Sequence, residues 1–475
     1  MAEDQVGAII ETGPADWQII QQDSSGLGKI ELAGRWVADV DGGVEVRLVW
    51  QDTAVPVTAR LDWRPARKAW HGRWKATLAD VPAGGLYRLE TRFRPKGHAA
   101  GEWAPRGDMR HFLGVGDLWV IAGQSNSAGY GRGPFFDPPE LGIHMLRNSE
   151  TWALATHPMN ESTDTAHPVN REGSNPGHSP YVHFARLLKQ QLGHPIGLLP
   201  VALGGSPLSA WNPTEPGPSG LFENMVHCVE LAGGKVRGIL WYQGESDAGG
   251  QNALTYADRF TAAVKAWRKA LTSRSLPVVT VQLNRVYGSE ANAQANRDWT
   301  ILREAQRQAA GTLPNVAIVP SFDLPLSDAI HTSPAGNMLL AERMARAALA
   351  VACGRKVDFR APEIQSAKPS ADGSEIVLRF EPVTSRMDCI DQSANCFMVE
   401  DADGAVPITK VVYPQDATVR LALARPPGEQ AVVHGACGTN PDVVPIDVER
   451  LIPMLGFYGV PVASRGRQQP ARRTR

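Results

Sequence analysis

The sequence predicts an α/β protein, a doubly wound, flavodoxin-like parallel sheet core of about five strands flanked by N- and C-terminal β-sandwich domains. Three observations lead there. The 475 residues exceed what one hydrophobic core usually absorbs, roughly 250 to 300 residues, so several domains are expected. The middle of the chain alternates short apolar runs with amphipathic stretches, the rhythm of a parallel sheet with crossover helices. Both ends show period-two alternation between Gly and Pro punctuation instead, the mark of antiparallel strands.

In the N-terminal part the alternation is clearest at Val44-Glu45-Val46-Arg47-Leu48-Val49-Trp50 and at Leu86-Tyr87-Arg88-Leu89-Glu90-Thr91. The core opens with the apolar strand Leu118-Trp119-Val120-Ile121-Ala122. A helix over Tyr181 to Leu192 is entered through Pro180, which a first turn tolerates, and the buried strand Ile196 to Val201 follows it. Ile239 to Tyr242 reads as the next strand. Leu254, Ala257, Phe260, Val264, Trp267 and Leu271 then lie on one face of a long helix, and Val278 to Leu283 supplies a further strand. A helix over Ile301 to Ala310, a strand over Val316 to Val319 and a helix over Ala335 to Ala350 complete the core. Beyond about residue 355 strands return, as at Glu375 to Phe380 and Ala417 to Leu423. The expected division is 1–113, 114–354 and 355–465, with 466–475 a disordered basic tail.

Charge narrows the function. The 48 basic and 49 acidic side chains nearly cancel, so no long-range field draws the chain to nucleic acid or to an anionic membrane, and neither is an expected partner. No apolar run reaches the ~20 residues of a membrane helix. Residues 1–14 lack the basic start and apolar core of a secretory leader. Five cysteines are too few for a disulfide scaffold, and their spacing forms no paired zinc cluster. Cys389 and Cys396 are close enough to bridge, though two free buried thiols account for them equally well.

Ligands of an open parallel sheet sit beyond the carboxyl ends of its strands, so the strand exits are where chemistry is sought. The first exit is Gly123-Gln124-Ser125-Asn126-Ser127-Ala128-Gly129, where glycines permit a tight turn and Ser125 projects from the sheet edge. The second is Leu203-Gly204-Gly205-Ser206, where missing side chains let backbone N–H groups approach a ligand. A phosphate cradle competes for that reading, but no Walker-type Lys and no G-x-G-x-x-G spacing is present. A third exit, Trp241-Tyr242-Gln243-Gly244-Glu245-Ser246-Asp247, places an amide and carboxylates directly after a strand, with loop capping as their plain explanation. Before the last helix stands Ser327-Asp328-Ala329-Ile330-His331-Thr332-Ser333-Pro334. An Asp and a His three apart can share a loop, the carboxylate fixing the imidazole tautomer while the other ring nitrogen takes a nucleophile's proton. Each piece alone is compatible with an ordinary turn.

Together the four blocks resemble the SGNH hydrolase superfamily, and within it the sialate O-acetylesterase and acetylxylan esterase group. The nucleophile segment is matched by Gly123-Gln124-Ser125-Asn126 after the lead-in Val115-Gly116-Asp117-Leu118-Trp119, and the glycine segment by Gly204-Gly205-Ser206 with Trp211 downstream. Gln243-Gly244-Glu245-Ser246 and the Asp328/His331 pair match the remaining two. The resemblance implies a carbohydrate O-acetylesterase working through a serine acyl-enzyme, with Ser125 as nucleophile, His331 as base and then acid, and Asp328 orienting it. The oxyanion hole would be the N–H groups of Ser125 and Gly205 with the amide of Gln243. Two positions depart from the wider pattern. Ser127 stands where many relatives have Met, a change expected in the pocket wall, and Gln243 stands where the superfamily at large has Asn. Glu245 competes with Asp328 as the acid, and the three-residue spacing favours Asp328.

The mechanism so implied requires no metal and no organic cofactor, and the partner is an acetylated carbohydrate, for which a plant cell-wall polysaccharide is preferred. Residues 130–180, rich in Pro, Gly, Asn and His, are expected to shape the pocket. His157, His167, His178 and His183 lie there at spacings that fit no zinc signature. The expected location is periplasmic or secreted, with a leader removed, against a cytoplasmic alternative. The competing function is a non-catalytic glycan-binding protein with an inert core, gripping sugar through Trp63, Trp70 and Trp74. No G-x-S-x-G elbow occurs, which disfavours an ordinary α/β-hydrolase.

Overall fold

The fold was taken from a computed structural model that describes residues 6–51, 62–68, 72–99, 102–173, 176–441 and 443–463. The expected tail 466–475, and Trp70, lie outside them. The protein is mixed α/β, with parallel and antiparallel pairing and β-rich regions at both ends. It forms two compact units. One comprises Met1–Gly204, Ser209–Trp241 and Ala266–Val278, and the other Gly205–Leu208, Tyr242–Lys265 and Val279–Arg475.

In the first unit, both alternating N-terminal runs are strands. Gly42–Trp50 pairs antiparallel with Leu86–Pro95, which pairs in turn with the long strand Arg106–Gly123. Gly7–Thr12, Leu27–Val37 and Arg73–Pro82 form a second antiparallel sheet. The inward residues of the two sheets, Ile30, Leu32 and Trp74 from one and Val46, Leu48 and Leu89 from the other, share one apolar core. Of the tryptophans expected as a sugar platform, Trp74 is therefore buried and donates its indole N–H to Arg35 O at 3.0 Å. Trp63 is half-buried, with the guanidinium groups of Arg47 and Arg92 4.4 and 4.3 Å from its ring centre.

Arg106–Gly123 runs unbroken past residue 113 into the core. From Asp117 to Ile121 it pairs in parallel with Ile196–Pro200, which pairs in parallel with Ile143–Leu146. Asp117, 1% exposed, is a polar hub at its middle. Its carboxylate accepts from the Gln21 and Gln22 amides at 3.1 and 3.0 Å, lies 3.0 Å from His194 Nε2 and pairs with Arg237 at 2.7 Å. Burial alone would raise that carboxyl, but His194 and Arg237 outweigh it and hold it well below the ordinary carboxylate range. The helix Tyr181–Leu192 has the expected bounds and ends in a left-handed Gly193. Two short strands, Ile143–Leu146 and Trp152–Leu154, and the helix Gly220–Leu231 add to the expected list.

In the second unit, Val278–Gln282 and Val316–Pro320 are core strands, and Ala293–Thr312 and Pro334–Val351 are helices with side-chain N-caps from Asn292 and Ser333. The long helix is Gly250–Ala270. Its buried stripe starts at Ala253 and Tyr256, and Leu254, expected on that stripe, is 59% exposed. Strands Glu363–Pro369, Glu375–Glu381, Ile408–Val412 and Thr418–Leu423 form one C-terminal sheet, and Phe397–Asp401, Val432–Gly435 and Phe457–Pro461 the body of another. Both feed one apolar core that includes Leu378, Phe380, Val399, Leu421 and Phe457. Arg303, fully buried, fastens this region to the helix that carries it, donating to Leu283 O, Asn284 O, Ala436 O and Gly438 O at 2.6–3.2 Å. All five cysteines are free thiols, Cys389 and Cys396 included, and burial pushes the Cys396 thiol up to about 12, which makes it inert. Among the described residues no helix is long and apolar enough to cross a membrane.

Candidate active site

The strand Arg106–Gly123 ends in Gly123 at φ +128°, a conformation that suits glycine, and hands over to a single helical turn, Ser125–Ala128. Ser125 opens the turn and is 9% exposed. Gly129, left-handed at φ +97°, closes it with its N–H on Ser125 O at 2.9 Å. Ser127 does not join a pocket wall. It is 1% exposed and points into the core, donating to Ala122 O at 2.9 Å and lying 2.6 Å from the Tyr181 hydroxyl. A Met there would collide with what the hydroxyl holds together. The second exit is tied to the first, because Leu203 N–H donates to Gly123 O at 3.0 Å.

The other residues expected at the site lie in the second unit. Gly205 is exposed at φ +69°, with open space where a side chain would be. Gln243, fully buried directly after the strand Gly238–Tyr242, has both amide atoms engaged. Its Oε1 accepts from the Tyr256 hydroxyl at 2.9 Å, and its Nε2 donates to Asp247 Oδ2 at 2.7 Å and to Ser206 O at 3.3 Å. Asp247 is fully buried and gathers Leu208 N–H at 2.8 Å and Arg259 Nη1 at 2.7 Å as well. By sequence Asp247 reads as a loop cap. Gln243 is only four positions away, but Leu208 lies 39 positions off and Arg259 sits inside a helix, so the local pattern does not show what the carboxylate gathers. Glu245 is half-buried at the start of the turn Glu245–Asp247.

Asp328 and His331 are brought together. A bridge between Leu326 and Thr332, with Ser327 N–H on His331 O at 2.8 Å, pinches residues 325–333 into a tight loop before the helix Pro334–Val351. On that loop Asp328 Oδ2 lies 2.7 Å from His331 Nδ1, while Oδ1 accepts the N–H groups of Ile330 and His331 at 2.9 and 2.8 Å. Burial pushes the Asp328 carboxyl up. Those N–H groups and the imidazole outweigh it and hold it below its ordinary value. An ionised carboxylate on Nδ1 keeps that proton in place and leaves Nε2 as the acceptor that proton abstraction from a serine requires.

Two of the four histidines in 130–180 and its edge come together across 21 residues. The donor atoms of Asp137, His157 and His178 lie within 4.8 Å of one another, the only such group among the described residues. His157 Nε2 is 2.9 Å from Asp137 Oδ2, and the two imidazoles stack at 4.3 Å. Ser179 N–H donates to His157 Nδ1 at 3.4 Å, which leaves the proton of the neutral ring on Nε2, and Arg186 already occupies the other oxygen of Asp137. These contacts fit a hydrogen-bonded fastening of the loop better than a cation's ligand set, which needs a bare Nε2.

Comparison with known proteins accords with this geometry. The model of the carbohydrate esterase, sialic acid-specific acetylesterase family matches residues 115–350. A probable carbohydrate esterase of Arabidopsis thaliana is 31% identical over 260 residues, 50% of this chain and 91% of that protein. Human sialate O-acetylesterase is 26% identical over 303 residues, 53% of this chain and 56% of its own, so the match spans little more than half of that relative. Among solved structures, a carbohydrate acetylesterase from Xanthomonas citri shares the fold over 94% of this chain and 99% of its own, with a TM-score of 0.64 at 22% identity. Identity of 31% across 91% of the Arabidopsis protein settles membership: the chain belongs to the sialic acid-specific acetylesterase family of carbohydrate esterases, and as a member it is a carbohydrate O-acetylesterase.

Proposed function

We propose that the chain removes O-acetyl groups from a carbohydrate through an acetyl-Ser125 intermediate. His331 Nε2 takes the Ser125 proton as the hydroxyl attacks the acetyl carbonyl, then returns it to the departing sugar oxygen. In the second half it draws a proton from water, which attacks the acetyl-enzyme, and hands that proton to Ser125 Oγ as the acyl bond breaks and acetate is freed. Asp328 is the orienting carboxylate, and Glu245 stays outside the triad. The N–H groups of Ser125 and Gly205 receive the oxyanion, and the Gln243 amide joins them by exchanging its long contact with Ser206 O. Each such donor is worth about 2.7–4 kcal/mol in the transition state. The observation that carries this reading is the Asp328–His331 pair at 2.7 Å on a pinched loop.

In this reading the reacting groups all belong to 114–354, with 1–113 and 355–465 as accessory β parts. We also infer a doubly wound order for the core, supported by the parallel run of Ile143–Leu146, Ile196–Pro200 and Asp117–Ile121. Ser125→Ala should lose on the order of 10⁴–10⁶-fold in acetate release from p-nitrophenyl acetate and from acetylated glycans while melting like the parent. Undiminished turnover would end the assignment. The glycan-binding alternative forecasts tight sugar binding without acetate release in the parent protein. A panel of acetylated xylan, xyloglucan, pectin and sialic acid identifies the preferred substrate.

A further inference from the structure

The chemistry so far leaves unused a carboxylate beside the glycine turn. Glu172 is half-buried in the segment before the helix Tyr181–Leu192. Its oxygens meet only donors. Oε1 accepts Gly204 N–H at 3.0 Å and Asn160 Nδ2 at 2.7 Å, and Oε2 accepts the Tyr130 hydroxyl at 2.7 Å and the same Gly204 N–H at 3.3 Å. Asn160, 1% exposed, also donates to Ala202 O at 2.8 Å, and Leu203 N–H is held by Gly123 O at 3.0 Å. Residues 202, 203 and 204 are thus each pinned by a separate bond.

This packing explains a glycine. A Cβ on Gly204 would come within 2.9 Å of both Glu172 Oε2 and the Tyr130 hydroxyl, so residue 204 lacks a side chain because the carboxylate and phenol press against its backbone. Gly205 next door has the opposite circumstance, open space and a positive φ. Its own carbonyl accepts the Ser246 hydroxyl at 3.1 Å, while its N–H belongs to the peptide shared with Gly204 and takes its direction from that side. A partly desolvated carboxylate is costly to place and is retained where its bonds are needed.

We propose that Glu172 is a positioning residue of the esterase reaction, clamping the Gly204 peptide so that the following N–H, that of Gly205, meets the developing oxyanion. The proposal rests on the reading that Gly205 supplies an oxyanion donor. Donors act at 2.7–3.1 Å from the oxyanion, and a displacement of about 1 Å costs about 10²-fold. Length therefore matters more than charge. A glutamine at 172 keeps an oxygen for Gly204 and Asn160 and turns its amide to the Tyr130 hydroxyl, which can accept. An aspartate keeps the charge but draws the carboxylate back by a methylene.

The test compares Glu172→Gln, Glu172→Asp and Glu172→Ala in the full chain, with kcat and KM on p-nitrophenyl acetate, melting temperature, and the rate of inactivation by a p-nitrophenyl phosphonate, whose tetrahedral adduct mimics the oxyanion. Expected are a kcat within about fivefold of the parent for Gln, a loss of about 10²-fold for Asp and Ala, a parallel loss in phosphonate reactivity, and KM within about twofold throughout. If Glu172→Ala does not fold, the Gln and Asp pair decides. Parental kcat in Glu172→Asp, or a loss carried by KM, overturns the proposal. Ser125→Ala keeps the two failures apart. An inactive Ser125→Ala beside a fully active Glu172→Asp defeats this inference alone, whereas an active Ser125→Ala defeats the reading beneath it.

Discussion

Asp247 offers a test in which stability and rate separate. Its Oδ2 holds Leu208 N–H and Gln243 Nε2, and its Oδ1 holds Arg259. In Asp247→Asn the amide oxygen can keep the two neutral donors while the NH₂ faces Arg259, so the cost falls on the ion pair. Losing one partner of a buried pair costs about 3–5 kcal/mol. Arg259 retains 15% exposure, which reduces this to about 2–3 kcal/mol and the melting temperature by about 5–10 °C. The rate should remain within about fivefold, because Gln243 keeps its anchor. In Asp247→Ala all three donors lose their acceptor. The cost rises to about 4–6 kcal/mol, and a Gln243 amide left with only the Tyr256 hydroxyl and its long Ser206 contact shifts and lowers kcat by about 10²-fold with little change in KM. Thermal melts and steady-state kinetics on p-nitrophenyl acetate read both quantities. A folded Asp247→Ala enzyme with parental kcat would refute the view that Asp247 sets the Gln243 amide for catalysis.

Asp117 should govern acid stability in the first unit. Its carboxyl lies well below the ordinary range, so from about pH 5 downward, until the pH reaches the folded carboxyl's own much lower value, the unfolded chain binds a proton that the folded chain refuses, and stability falls as pH falls. Melts of the parent and of Asp117→Asn across that window should converge in acid, and parallel curves would contradict this. Asp328→Asn removes the carboxylate on His331 Nδ1 and should cost up to about 10⁴-fold in kcat with an unchanged melt; a rate within tenfold of the parent would count against the triad. Ser127→Ala should lower stability by about 1 kcal/mol, losing the bond to Ala122 O, with kcat intact, while Ser127→Met should cost about 1–3 kcal/mol more by overpacking. Arg303→Leu strands four carbonyls, three of them buried, and should destabilise by on the order of 4–5 kcal/mol, visible as a large loss of melting temperature.

Elements governed by local periodicity were legible in advance. The helix Tyr181–Leu192 and the strands at Ile196, Gly238 and Val278 follow from patterns within a dozen residues. The strand Arg106–Gly123 begins well before the expected Leu118, a start hidden because Gly114 and Gly116 look like punctuation. They are glycines because the strand passes close to its neighbours there: a Cβ on Gly114 would meet Ile19 Cδ1 at 2.5 Å, and one on Gly116 would run into the Pro195 carbonyl. The helix Gly220–Leu231 was obscured by the Pro/Gly-rich approach 213–220. Within the site, Asp328 and His331 share a loop and so share a sequence motif. Asp247 reaches Leu208 across 39 positions and Glu172 reaches Gly204 across 32, and hydrogen bonds at that separation leave no periodic trace.

The unbroken backbone from Arg106 to Gly123 has a consequence for how this protein can be cut or recombined. Gly114 is paired with both Leu86 and Ile19, and three residues later the same strand begins its pairing with Ile196. A shortened enzyme starting at residue 114 would strip the partners from Gly114–Gly116 at the entrance to the strand that leads to Ser125, inviting fraying there, while 117–121 keeps its pairing with 196–200. The N-terminal β part thus braces the entrance to the strand that leads to Ser125, and fusions should keep it by joining upstream of Gly7.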